Sequence, residues 1–245
     1  MFSTRDIFRV SNREGYRKCL IIPGFLQYPD FYEEEAIEMP YRIVDIVNLR
    51  WDDREMTRDN MQLEFISGLY MHICREKYDT IFVHGISDSI VYKLKLFGAL
   101  NQIVVFINPY CIPDEERGKH YKLLRLYLRL RDYIPIKIQL SLFKRAIDAE
   151  DDYFALYLLN SMKSIKAGRV LKRFEDSLVS CELTEELEGI FVYGEDDKYS
   201  WPIDEDNIVQ YVGHYPLNEE FTKTMHKVEM LMMSEYECGR RIINA

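Results

Sequence analysis

A serine lies in a small-residue turn that could make it a nucleophile. The apolar segment Thr80–Val83 is followed, at 85–89, by Gly-Ile-Ser-Asp-Ser, and a helical pattern begins directly afterwards. Small residues two positions before and after Ser87 let a strand and a helix approach closely. They leave the hydroxyl at the turn, where helix N–H groups favour a developing anion. Serine and aspartate are also common helix caps. This segment alone favours capping and catalysis about equally.

Two further segments place an acid and a histidine after apolar runs. Asp196 and Asp197 follow the run Gly189–Tyr193, and His214 follows the run Asn207–Val212. In a parallel sheet the carboxyl ends of the strands lie along one edge, where α/β folds bind ligands. That edge would then carry a hydroxyl, a carboxylate and an imidazole. Taken singly, His214 is more typical of a packing or surface histidine, and Asp197 of a turn.

The elements that must position these residues alternate between strand and helix. Several apolar runs are hydrophobic on both faces, as buried parallel strands are, and helical periodicity lies between them. The alternation predicts an α/β fold with a mostly parallel central sheet flanked by helices. The six predicted strands are Lys18–Ile22, Arg42–Val47, Thr80–Val83, Gln102–Ile107, Gly189–Tyr193 and Asn207–Val212.

One region interrupts this alternation. The segment 113–180 has helical patterns and no clear strand, so we predict a helical insertion that divides a core made of 1–112 and 181–245. From Pro113 to Glu175 there are 14 basic and 9 acidic residues, although the whole chain carries a net charge of -9. Such a pattern is typical of a solvated helix surface. It is also compatible with docking of an acidic carrier or a phosphate-bearing substrate.

Composition narrows the function classes. The net charge of -9 argues against nonspecific binding of nucleic acid. The five cysteines are scattered and contain no C-x-x-C pair, so we expect reduced thiols and no structural zinc. We also expect no metal and no cofactor. No apolar run reaches the roughly 18 residues of a membrane span, and the first residues lack a signal-peptide core. These patterns favour a cytoplasmic protein and leave its oligomeric state open.

Together the segments resemble the α/β-hydrolase superfamily over about residues 18 to 237. "VHGISDSI" is similar to the nucleophile elbow of that family, "VYGEDDKY" to its acid turn and "VGHYPLNEE" to its histidine loop. "CLIIPGF" resembles the first oxyanion-loop motif, and "FINPY" resembles the strand after the elbow helix. The sequence departs from the family pattern at three places. Pro23-Gly24 stands where His-Gly is common, Ser89 replaces the usual glycine, and the carboxylate of Asp88 directly follows the proposed nucleophile.

The resemblance implies a catalytic triad with Ser87 as nucleophile, His214 as base and Asp197 as the orienting acid, with Asp196 as the alternative acid. It also implies that the insertion is a helical lid. The oxyanion hole would use backbone N–H groups, those of Asp88 and of Phe25 or Leu26.

The implied activity is a serine hydrolase that cleaves an acyl ester or thioester through an acyl-enzyme intermediate, or a related acyl transferase. The apolar insertion favours a small acyl substrate, free or carried on CoA or on an acidic carrier protein. The alternative is a catalytically inactive α/β-hydrolase-fold interaction or scaffold protein whose serine is a helix cap, since a fold does not by itself determine function.

Overall fold

The fold is described from a computed structural model of the chain. The described residues are 2–25, 27–49, 59–109, 122, 126, 127, 130, 133–147, 156, 157, 159, 160, 188–197, 200, 207–210, 213 and 215–243.

A seven-stranded, mostly parallel sheet forms the centre of the protein. Its strands lie in the order β1-β3-β2-β4-β5-β6-β7, and β1 pairs antiparallel with β3, whereas every other neighbouring pair is parallel. The strands are β1 (Ile7–Ser11), β2 (Lys18–Ile22), β3 (Ile43–Val47), β4 (Thr80–His84), β5 (Ile103–Ile107), β6 (Ile190–Gly194) and β7 (Ile208–Val209).

Helices cover both faces of the sheet because alternate strand residues point to opposite sides. On one face, strand residues such as Val83 and Phe106 pack with apolar residues of α2 and α3. On the other face, Phe82 and Val105 pack with residues of α1 and α6. The helices are α1 (Glu33–Glu38), α2 (Asp59–Glu76), α3 (Asp88–Lys95), α4 (Ile136–Ile147), α5 (Pro216–Glu219) and α6 (Phe221–Ile243), and none in the described parts is long and apolar enough to cross a membrane.

The predicted fold class is confirmed, and all six predicted strands are present within a few residues of their predicted limits. The sequence missed β1. Its centre is the charged residue Arg9, so it lacks the apolar run that marked the other strands.

Most of the predicted insertion lies outside the described residues, so its boundaries and its role as a lid stay predictions. Within it, α4 and several helical residues between 122 and 160 are described. Tyr127 and Leu159 are buried in the same apolar cluster as α2 and α3. The described part of the insertion therefore packs on the core through apolar side chains.

A buried carboxylate ties β1 to β3. Asp45, in the middle of β3, is 0% exposed and faces Arg9 directly across the strand pair. The guanidinium of Arg9 donates to both carboxylate oxygens, at 2.7 and 2.6 Å. The hydroxyl of Tyr78 donates to Asp45 Oδ2 at 2.5 Å. The charge of Asp45 is thus neutralised and hydrogen-bonded, as burial of a charge requires.

His72 extends this network on α2. Because Tyr78 donates its proton to Asp45, its oxygen accepts from His72 Nε2 at 2.8 Å, which leaves Nδ1 to accept from Arg75 at 3.0 Å. Burial lowers the pKa of His72 below its ordinary value, and the charge of Arg75 acts in the same direction, against the opposing charge of Glu76. The folded protein therefore holds His72 neutral.

We predict that the free energy of unfolding decreases as the pH falls from about 7.5 to about 5.5, because the unfolded chain, with a histidine pKa of about 6.5, then binds a proton that the folded chain resists. Chemical denaturation at several pH values measures this dependence. In His72→Gln the dependence should be weaker than in wild type. Identical pH profiles for the two proteins would exclude His72 as its source.

Candidate functional site

The turn between β4 and α3 places a glycine beside open space. β4 ends at His84, a single 3-10 turn spans Gly85–Ser87, and α3 begins at Asp88. Gly85 has φ 54°, in the left-handed region that glycine adopts without a steric penalty. A Cβ atom built on Gly85 would meet no described atom within 4 Å beyond its chain neighbours. Among the described residues, therefore, nothing fills the space beside the left-handed residue of this strand-to-helix turn.

Ser87 does not face that space. Its backbone is ordinary right-handed helical, with φ -72° and ψ -5°, and the residue is 0% exposed. Its hydroxyl donates a hydrogen bond of 2.5 Å to the backbone oxygen of Pro23, directly after β2. Ser87 therefore acts as a small residue at a close contact between the start of α3 and the β2 loop.

Asp88 and Ser89 belong to the first turn of α3. The Asp88 N–H donates to the backbone oxygens of Gly85 and Ile86, so it is used within the turn. The Asp88 side chain is buried, and its Oδ1 accepts from the Ser89 N–H at 2.6 Å. The sequence assigned the Asp88 N–H to an oxyanion hole; Asp88 is the first residue of α3, and the oxyanion role stays a prediction. Of the other two candidates, Phe25 is partly buried against the core and Leu26 lies outside the described residues.

A buried cluster of polar side chains packs next to the turn, around His84 at the end of β4. Gln27 Oε1 accepts from the Gly24 N–H at 2.5 Å and from the Tyr32 hydroxyl at 2.5 Å, and it lies 2.8 Å from His84 Nδ1. Burial raises the pKa of Tyr32, which stays a neutral donor. A Cβ on Gly24 would come within 2.7 Å of both Gln27 Oε1 and His84 Nδ1. Glycine in the Pro23-Gly24 motif is therefore explained by packing over His84.

The predicted acids lie in the turn after β6. Asp197 Oδ2 accepts from the Ser200 backbone N–H at 3.1 Å and from the Ser200 hydroxyl at 2.5 Å. Asp196 is exposed, and the Asp197 N–H closes the turn on the Gly194 carbonyl at 3.2 Å. Asp197 thus stabilises its own loop. His214 lies outside the described residues, so its meeting with Ser87 and Asp197 stays a prediction.

Sequence reasoning missed Asn108, the residue that follows β5. It has φ 45°, and its side chain connects Gly194 at the end of β6 with Gly213, the residue before position 214. An asparagine between a strand and a proline was a usable signal, because asparagine tolerates left-handed backbone better than most residues.

Tyr215, the residue after position 214, packs within a group of aromatic side chains. The ring of Tyr215 packs against His84 at 5.7 Å and against Phe31 at 5.6 Å between centroids. Phe31 also contacts Tyr157 of the insertion at 5.2 Å, and the Tyr157 hydroxyl donates to Asp30 Oδ1 at 2.7 Å. An apolar, aromatic surface thus connects the described part of the insertion to the edge of the sheet.

Comparison with known proteins identifies the fold. No protein-family model and no curated protein matches the sequence. Solved structures do match in three dimensions. A serine-to-glycine mutant of the N-acyl homoserine lactonase AidH, complexed with N-hexanoyl homoserine lactone, has a TM-score of 0.62 at 11% identity, over 92% of this chain and 93% of that chain.

Two other enzymes give the same result. An esterase from Exiguobacterium antarcticum has a TM-score of 0.61 at 12% identity, over 92% of this chain and 94% of that chain. A Bacillus megaterium epoxide hydrolase complexed with an inhibitor has a TM-score of 0.58 at 16% identity, over 93% of this chain and 95% of that chain. The chain has the α/β-hydrolase fold.

Within the α/β-hydrolase fold, the nucleophile occupies the sharp strand-to-helix turn, and the N–H of the next residue helps to form the oxyanion hole. Here the left-handed residue of that turn is Gly85, and the next residue is Ile86. Ser87 lies two residues farther on, where the α/β-hydrolase elbow needs a small residue for close packing of strand and helix. By this geometry, a glycine occupies the elbow position of this α/β-hydrolase fold.

Proposed function

We propose that this α/β-hydrolase-fold protein binds a ligand beside Gly85 and does not use Ser87 as a nucleophile. The supporting observation is the pair of environments at the turn. No described atom packs near a Cβ position at Gly85, whereas Ser87 is 0% exposed and its hydroxyl donates to Pro23. A nucleophile must be accessible to its substrate, and a hydroxyl buried against a backbone oxygen does not meet this requirement.

The proposed ligand carries an acyl group, as an ester, lactone or thioester. The aromatic surface formed by Phe31, Tyr157 and Tyr215 suits an apolar chain, which leaves few polar groups unpaired on burial. A glycine at the elbow removes the hydroxyl that would attack such a group and leaves room for it. The AidH complex with N-hexanoyl homoserine lactone, formed by a serine-to-glycine mutant, supports this ligand class by analogy.

A serine hydrolase that uses Ser87, His214 and Asp197 is the second candidate. It is favoured by the fold that the chain shares with an esterase and a lactonase. It requires the Ser87 hydroxyl to leave Pro23 and become accessible, and a free carboxylate at Asp197 or Asp196. Two predictions from the sequence remain predictions under either candidate. One is that the ligand is carried on CoA or on an acidic carrier protein, and the other is a cytoplasmic location.

Labelling with a fluorophosphonate probe separates the two candidates. We expect no modification of wild-type Ser87 by mass spectrometry, and no difference between wild type and Ser87→Ala in the hydrolysis of p-nitrophenyl acyl esters of graded chain length. Gly85→Ser serves as the control for access, because its labelling would demonstrate that the probe reaches the elbow. Modification of Ser87 in wild type, with turnover that Ser87→Ala abolishes, would refute the proposal and support the hydrolase.

The same preparation tests ligand binding. N-hexanoyl homoserine lactone is the first probe, with binding followed by calorimetry and the ligand analysed afterwards by mass spectrometry. We expect saturable binding with the lactone recovered intact. Gly85→Phe, which fills the open space, should lose binding, whereas Gly85→Ala should keep most of it. Equal binding by the two variants would move the ligand site away from Gly85.

A further inference from the structure

Two left-handed residues lie side by side at the carboxyl edge of the sheet. His84 of β4 pairs with Ile107 of β5, so Gly85 and Asn108 are the next residues on neighbouring parallel strands. Their φ angles are 54° and 45°. Glycine adopts this conformation at no steric cost, but asparagine pays a penalty of about 1 kcal/mol. Strain of this kind persists where surrounding contacts impose it, often at functional sites.

Three hydrogen bonds to described residues hold Asn108. Its backbone N–H donates to the Val192 oxygen at 2.8 Å. Its Oδ1 accepts from the Gly194 N–H at 2.7 Å, and its Nδ2 donates to the Gly213 oxygen at 3.0 Å. The residue is 1% exposed, so each bond is made away from bulk water, where losing it is costly. Asn108 therefore joins the ends of β5 and β6 to the segment that precedes position 214.

Among the described residues, β7 makes few pairings with the rest of the sheet. β7 pairs with β6 through two residue pairs, Tyr193 with Ile208 and Gly194 with Val209. One more bond, from the Glu195 N–H to the Val209 oxygen, extends the pairing. The bond from Asn108 reaches Gly213, four residues beyond the last residue of β7.

The chain after position 214 is attached to the core through Tyr215 and α5. The Tyr215 ring packs against His84, and Asn218 Nδ2 donates to the Phe31 oxygen at 2.8 Å and to Glu35 Oε1 at 2.7 Å. Two asparagines thus attach the chain before and after position 214 to separate parts of the core.

We infer that Asn108 is a positioning residue, which holds segment 213–215 against the site beside Gly85. The inference rests on the proposed function for the location of that site. Asn108 acts through the Gly213 carbonyl and contacts neither the reacting nor the binding group directly. If it were merely structural, removing its amide would lower stability without a specific change at His214.

Two substitutions remove the bond to Gly213 in different ways. Asn108→Gly deletes the amide and still adopts φ 45° without strain. Asn108→Asp keeps the acceptor for the Gly194 N–H but replaces the donor with an oxygen that repels the Gly213 carbonyl. The matched control is Asn12→Ala, which deletes three hydrogen bonds to backbone oxygens at the opposite edge of the sheet, those of Ala36, Met39 and Tyr41.

The readout is the imidazole of His214 in protein labelled with ¹³C at histidine Cε1, assigned as the resonance that His214→Gln lacks. We expect both Asn108 variants to change the chemical shift of the His214 imidazole. His226 should be unaffected in every variant, and Asn12→Ala should leave His214 as in wild type.

A His214 chemical shift that is the same in wild type and in Asn108→Gly would overturn the inference. So would equal changes in Asn12→Ala and Asn108→Gly, since they would reflect general destabilisation. If Asn108→Gly were to unfold, Asn108→Asp would decide the question by the same criterion. Modification of Ser87 by the fluorophosphonate would instead refute the proposed function. The His214 spectra are recorded on protein without the probe and do not depend on that result, so the two failures are distinguishable.

Discussion

Replacing Arg9 by methionine is expected to lower the free energy of unfolding by roughly 3 kcal/mol, because it leaves a buried carboxylate without its counter-charge. Asp45 is 0% exposed, and the two hydrogen bonds from Arg9 to its oxygens are 2.7 and 2.6 Å long. The hydroxyl of Tyr78 would remain as a donor but carries no charge. Urea denaturation followed by circular dichroism measures the loss.

The matched control is Arg5→Met, which removes an exposed arginine in the turn before β1 and should change stability by less than about 0.5 kcal/mol. A double variant that also carries Asp45→Leu should recover much of the loss, because an apolar pair needs no counter-charge. If Arg9→Met were as stable as Arg5→Met, the carboxylate of Asp45 would not depend on its partner, and the account of how β1 is held would be wrong.

The sheet was largely readable from the sequence because its parallel strands are apolar on both faces. Runs such as Lys18–Ile22 become strands by burial alone, and the alternation with helices then fixes the fold class. β1 was not readable in this way. It depends on a partner for Arg9 that lies 36 positions away, and such a pairing leaves no local pattern.

The elbow illustrates the limit of motif reading. Small residues occur at 85, 87 and 89, so the full pattern fits a turn centred on Ser87. A turn centred on Gly85 has the small residue Ser87 two positions later but Val83 two positions earlier. The register depends on where β4 stops pairing. The ladder with β5 continues to His84, opposite Ile107, and the turn therefore falls on Gly85.

The sequence offered a signal for the backbone of Asn108 but none for the partners of its side chain. Its side chain bonds to Gly194 and Gly213, 86 and 105 positions away, and only the assembled sheet brings these residues together. The triad prediction used local motifs and strand order. Local motifs and strand order predict which loops lie at the same edge of the sheet. They do not predict which side chains in those loops form hydrogen bonds with each other.

Cysteine accessibility tests most directly whether Gly85 or Ser87 faces the site. In the matched variants Gly85→Cys and Ser87→Cys, alkylation by iodoacetamide is followed position by position by peptide mass spectrometry. The native thiols serve as internal references, with Cys19 buried and Cys74 exposed. Complete alkylation of both variants in denaturant provides the control for intrinsic reactivity.

We expect the thiol introduced at position 85 to react about 100-fold faster than the one at position 87, because the latter needs a local opening that costs about 3 kcal/mol. Comparable rates at the two positions, or faster reaction at position 87, would contradict the account and return Ser87 to the role of an accessible nucleophile.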